Sequence, residues 1–149
     1  MNEHRAALLV SVPDEDPNLL GELFSQQGWT LYRAAGIDAA LSYLRENFVP
    51  VLITERDLPF GNWKDLLRAT LQLPRIPLLI VASRLADESL WAEVLNLGGY
   101  DVLCEPFQTK EVLWVLGSAW QFAERDVLAM APKGIGVPAK VCSLSASGG

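Results

Sequence analysis

The stretch Val51-Leu52-Ile53-Thr54-Glu55-Arg56-Asp57-Leu58-Pro59-Phe60-Gly61-Asn62 decides the fold. Its first four residues are aliphatic or β-branched, and the run is too short for a buried helix. They read as a strand. Glu55 closes the run, and Leu58-Pro59-Phe60-Gly61 is turn chemistry. Asn62 then offers a cap for a helix carrying Trp63, Leu66, Leu67 and Thr70 on one face. An apolar strand, a turn and an amphipathic helix make one unit of a parallel sheet.

The same unit recurs on both sides. Downstream, Pro77 precedes a strand over Leu78–Ala82, followed by a helix over Asp87–Leu97 that Gly98-Gly99 stops. Tyr100–Cys104 is the last strand, and a long helix from Thr109 to about Leu128 follows it. Upstream, Ala6–Val12 reads as the first strand. Asp16-Pro17 is a helix start for the stripe Leu19, Leu20, Leu23 and Phe24, which Gly28 ends. Trp29–Ala34 is the second strand, and Ile37, Ala40, Leu41, Leu44 and Phe48 mark the second helix. Five strands alternating with five helices predict an α/β, doubly wound parallel sheet, with its site at the carboxyl ends of the strands. The domain is expected over residues 1–129. Residues 130–149, rich in Gly, Pro, Ala and Ser without an apolar period, read as a flexible tail or linker stub.

The 149 residues suit one domain with a self-sufficient core. A net charge of −6 repels phosphate backbones and anionic lipid, so neither nucleic acid nor membrane is an expected partner. No apolar run reaches the roughly 18–20 residues that span a bilayer. The two cysteines, Cys104 and Cys142, lack metal-ligand spacing, and a reduced, cytoplasmic setting is expected. One histidine, His4 in the amino-terminal arm, supplies no Ser/His/Asp set, so hydrolase chemistry is not expected.

The strand ends carry Asp14-Glu15-Asp16, Glu55-Arg56-Asp57, Ala82-Ser83-Arg84 and Glu105-Pro106-Phe107. The topology gathers these acids at one sheet edge, where carboxylate oxygens could hold Mg²⁺. Asp16 is most simply a helix cap. Taken in order, these segments, with Gly98-Gly99-Tyr100-Asp101, resemble the receiver domain of two-component response regulators over about residues 6–126. The resemblance implies a CheY-like fold with strand order 2-1-3-4-5. It makes Asp14 and Glu15 the metal-binding acidic pair. It puts Glu55 at the phosphoacceptor position, Ala82 at the phosphoryl-gripping hydroxyl, Val102 at the aromatic switch and Glu105 at the conserved lysine.

The matches at Glu55, Ala82, Val102 and Glu105 depart from the family pattern. A glutamate carries its carboxylate about 1–1.5 Å farther out than an aspartate, an offset large enough to upset catalytic geometry. Ala82 offers no donor, and adjacent Ser83 faces the other side of its strand. Glu105 reverses the charge that would neutralise a phosphoryl group. The sequence therefore predicts a pseudo-receiver that acts by docking a protein, with at most weak Mg²⁺ binding through Asp14, Glu15, Glu55 and the backbone carbonyl of Asp57. Arg84 is the candidate counter-charge for Glu55. A still-phosphorylatable receiver with an atypical acceptor is the alternative. A flavodoxin-like cofactor or metal module shares the sheet order, but Pro13-Asp14-Glu15-Asp16 is a poor flavin-phosphate loop.

Five tryptophans exceed what such a core needs. Trp120 falls on the apolar stripe of the last helix, whereas Trp114 falls off it, as does Phe122. Trp91, on the fourth helix, and Trp114 are candidate docking residues. The expected partner is a protein, or a second copy, on the face made by helix 4, strand 5 and helix 5.

Overall fold

A computed structural model of the chain describes residues 5–11, 18–84 and 87–126. Five parallel strands form one sheet: β1 (Ala6–Val10), β2 (Thr30–Ala34), β3 (Val51–Glu55), β4 (Leu78–Ser83) and β5 (Asp101–Cys104). Their order is 2-1-3-4-5, the doubly wound arrangement expected from the sequence. Five helices cover the sheet: α1 (Asn18–Gln26), α2 (Ile37–Glu46), α3 (Trp63–Thr70), α4 (Glu88–Leu97) and α5 (Thr109–Asp126).

Strand alternation sorts the apolar side chains into two layers. Leu8, Leu52, Leu79 and Val102 pack with Ala40, Leu44, Trp63, Leu66 and Val94, so α2, α3 and α4 share one face. Leu9, Ile53, Ile80 and Leu103 pack with Leu20, Phe24, Val112 and Trp120, so α1 and α5 share the other. A buried leucine, isoleucine or valine contributes about 1.5–3 kcal/mol. That outweighs exposed ion pairs such as Arg68–Asp65, at about 0–1 kcal/mol each. Burial of this alternating set fixes the register.

The helix ends follow local chemistry. Asn62 accepts from the backbone N–H groups of Lys64 and Asp65, while Asp65 accepts from the Asn62 N–H, a capping box. Asp87 accepts from Leu90 N–H and starts α4. Gly98, at φ 110°, ends α4 in the left-handed region. Beside it, a Cβ on Gly99 would stand 2.5 Å from Val94 Cγ1, so β5 can begin that close to α4 only with glycine.

Two elements differ from the sequence reading. Phe48 is not on α2, which stops at Glu46 when Asn47 turns extended. The Arg75 guanidinium lies over the Phe48 ring instead, 3.9 Å from its centroid. The turn after β3 is a two-residue antiparallel ladder, Asp57–Leu58 against Gly61–Asn62. The Asp16-Pro17 start of the first helix and the 130–149 tail lie outside the described residues.

Candidate functional site

β3, β4 and β5 place three of the expected site residues in adjacent register. Glu55, the last residue of β3, pairs with Ala82 on β4, and Ala82 pairs with Leu103 on β5. Ala82 is completely buried, and Glu55 is half-buried. Ala82 and Leu103 face the α1–α5 layer, and Glu55 keeps the parity of Ile53 on that same side. Glu105 lies two residues past Leu103, and its N–H donates to the Ser83 carbonyl at 3.1 Å. That bond extends the β4–β5 ladder by one step. Glu105 thus has the parity of Leu103 and Glu55, two strand spacings, about 10 Å, across the sheet and two residues farther along it. Ser83, buried, has the opposite parity. Val102 is buried in the α2–α4 layer. The neighbour of Glu55 in register is thus a methyl group, and the strand beyond continues into an acid.

Asp14 and Glu15 lie outside the described residues. Asp57, described and exposed, has its Oδ2 3.4 Å from Arg56 Nε. Among the described residues, no three acids, histidines or cysteines converge as a metal set. The donors that do belong to the described residues, Glu55 and Asp57, do not alone suffice for a cation that takes six or more oxygens.

Of the cations near the mouth, Arg56 and Lys64 are paired, and Arg84 and Lys110 are exposed. Arg56 pairs with Asp57. Lys64 Nζ lies 2.7 Å from Glu93 Oε2, a bridge from α3 to α4. Arg84 is exposed in the turn after β4, and the ion pairs among the described residues do not join it to Glu55. The Lys64–Glu93 pair crosses a groove of about 440 Å³ lined also by Arg56, Asp57, Trp63 and Asp87. Sequence spacing held no signal for this groove, because it depends on how α3 and α4 lie side by side.

A second feature missed in the sequence is Phe60. Leu58 in the two-residue ladder and Trp63 just after it are buried, and Phe60 at the turn between the ladder's strands is fully exposed. Its φ of 65° is left-handed, which costs a non-glycine residue about 1–2 kcal/mol. The Pro59-Phe60-Gly61 run carried the turn signal but not which residue would take the positive φ.

On the other face, Trp114 is 74% exposed on α5, whereas Trp120 is buried and meets Trp29 edge to face. Trp91 is partly buried against the α2–α4 layer, and its buried Nε1 has no hydrogen-bond partner among the described residues. Phe122 packs on Tyr100, whose hydroxyl bonds Ser118 across from β5 to α5. Burial raises the Tyr100 phenol above its usual 10.0, and the Ser118 bond opposes that rise. Cys104, at the end of β5, has its Sγ 3.7 Å from Glu111 Oε2, and Cys142 lies outside the described residues.

Comparison with known proteins places these features in one fold. No family model matches the chain. The receiver domain of an HD domain-containing protein from Pseudomonas fluorescens Pf-5 is 27% identical, with a TM-score of 0.71 over 82% of this chain and 98% of that one. A CheY-like receiver from Methanospirillum hungatei JF-1 is 16% identical, with a TM-score of 0.69 over 82% and 98%. The two-component response regulator-like protein APRR1 of Arabidopsis thaliana is 26% identical over 137 residues, 87% of this chain. This chain spans 22% of that relative's length. The chain has the fold of a response-regulator receiver domain, and the altered residues at its mouth are consistent with a degenerate variant. Among the described residues, no helix is long and apolar enough to cross a membrane.

Proposed function

We propose that this chain is a pseudo-receiver of two-component signalling, which acts by docking a protein and does not depend on aspartyl phosphorylation. The observation that carries the reading is the row Glu55–Ala82–Leu103 with Glu105 beyond it. A phosphoryl group on Glu55 would be a dianion facing a methyl group on β4 and a carboxylate past β5. Such a group needs donors and positive charge aimed at its oxygens. Arg56 and Lys64 are already held by Asp57 and Glu93. Mg²⁺, if it binds, uses Asp14, Glu15, Glu55 and the Asp57 carbonyl, and supplies charge neutralisation at the mouth. In this reading the α4–β5–α5 face, with Trp114 exposed, meets the partner.

Beryllofluoride, which imitates a phosphoryl group on a carboxylate, tests the reading. Trp63 is buried at the start of α3, one short turn after Glu55, and reports on the mouth through its emission. In Mg²⁺, added beryllofluoride leaves tryptophan fluorescence unchanged if the reading holds. A saturable change at equimolar ligand would reject it.

A further inference from the structure

Six large apolar side chains stand exposed among the described residues, and four of them lie at one end of the sheet: Phe48, Leu71, Ile76 and Leu97. Phe48 precedes β3. Leu71 follows α3, and Ile76 stands in the loop into β4. Leu97 closes α4 before β5. These are the amino-terminal ends of three neighbouring strands, opposite the mouth. The Arg75–Phe48 contact joins the first two loops directly. Single exposed apolar residues are ordinary, but four gathered along one edge mark an interaction surface.

Charge is sorted between the same two ends. Exposed Arg5, Arg45, Arg68 and Arg75 lie at the apolar end, against Glu46 and Asp101. The mouth end carries Glu55, Asp57, Asp87, Glu88, Glu105 and Glu111, with Asp38 and Asp65 in the first turns of α2 and α3. Against these stand Arg56, Lys64, Arg84 and Lys110, an excess of acids, and there Phe60 stands clear of its own domain. One end therefore offers an aromatic knob set among acids. The other offers an apolar patch set among arginines.

We infer that copies of this chain associate head to tail, with Phe60 of one copy seated on the Phe48–Ile76–Leu97 patch of the next. The mouth acids of the first then face Arg45 and Arg75 of the second. A second copy is the occupant because the chain itself supplies both complementary surfaces. Two different surfaces meet, so the contact is heterologous and adds copies without closing, unlike a two-fold dimer. Aromatic anchors carry such contacts, and complementary charge steers them and weakens with salt. The α4–β5–α5 face stays open to another protein. The inference goes beyond the pseudo-receiver reading and does not depend on whether Glu55 is phosphorylated.

Sedimentation velocity on the full chain, over rising concentration and at low and high salt, reads the association. The expected mass grows past that of a dimer at low salt and falls back at high salt. Phe60→Gly, in which glycine takes the positive φ freely, and Ile76→Ser each weaken self-association at least about tenfold. Mixed together, the two variants form a one-to-one dimer, since each keeps the end the other lacks. Circular dichroism confirms that each is folded, and Leu97→Ser replaces Ile76→Ser if that variant is not. A chain that stays monomeric at every concentration overturns the inference. So does a mass that stops at a dimer, or association that both variants leave intact.

Discussion

Glu55 carries its carboxylate one methylene farther from the backbone than an aspartate would, at a strand end where position decides chemistry. Its register neighbour Ala82 has nothing to donate, and Glu105 extends the row with a second acid. In the proposed reading these three positions bear on one transferred group, so changes at them would be coupled rather than additive. The prediction follows at this scale. The triple variant Glu55→Asp, Ala82→Thr, Glu105→Lys gains a phosphoryl adduct from a small phosphodonor in Mg²⁺, and each single variant gains little or none, as read by intact mass. Adding a hydroxyl and a methyl at the fully buried Ala82 costs about 1–3 kcal/mol of stability in that variant. The placement of all three at strand ends was legible in the sequence, because each lies at the close of an apolar run and strand ends converge in this topology. Phe60 and the Lys64–Glu93 bridge were not. A positive φ inside a turn and a pair between two helices both depend on tertiary placement that no spacing records.

α5 and β5 are tied by the Tyr100 hydroxyl, which bonds Ser118 on the helix while its ring lies against Phe122. Burial raises the phenol above 10.0 in the folded chain, so the folded state holds that proton more tightly than the unfolded one. The contribution is complete below the unfolded value and is lost as pH rises through the folded value. Tyr100→Phe keeps the ring packing. It costs about 1 kcal/mol at neutral pH for the lost hydrogen bond, and it flattens the alkaline decline in stability. Urea unfolding at neutral pH and above pH 10.0 measures both effects. Elements were read well where a periodic apolar face met a cap, as at Asn62 and Asp87. Phe48 was misassigned to α2 because its spacing continues the stripe. The extended Asn47 and the cation of Arg75 take it off the helix, and that partner comes from a loop 27 residues later in the chain.

The whole molecule follows from the order 2-1-3-4-5, which brings Glu55 between β1 and β4 and leaves β2 and β5 as edges. Alternating apolar runs and amphipathic helices were enough to foresee a doubly wound sheet with a carboxyl-terminal mouth, and the receiver resemblance supplied the strand order. The acids at the mouth were foreseen from the strand ends, whereas the arginines and exposed apolar residues at the opposite end were not, since net charge alone carries no geometry. What the mouth does with an incoming phosphoryl group is the central question. Intact mass of the unmodified full chain, after incubation with Mg²⁺ and acetyl phosphate, answers it most directly. The account predicts a single unshifted mass, whereas a stoichiometric phosphoryl adduct would contradict it.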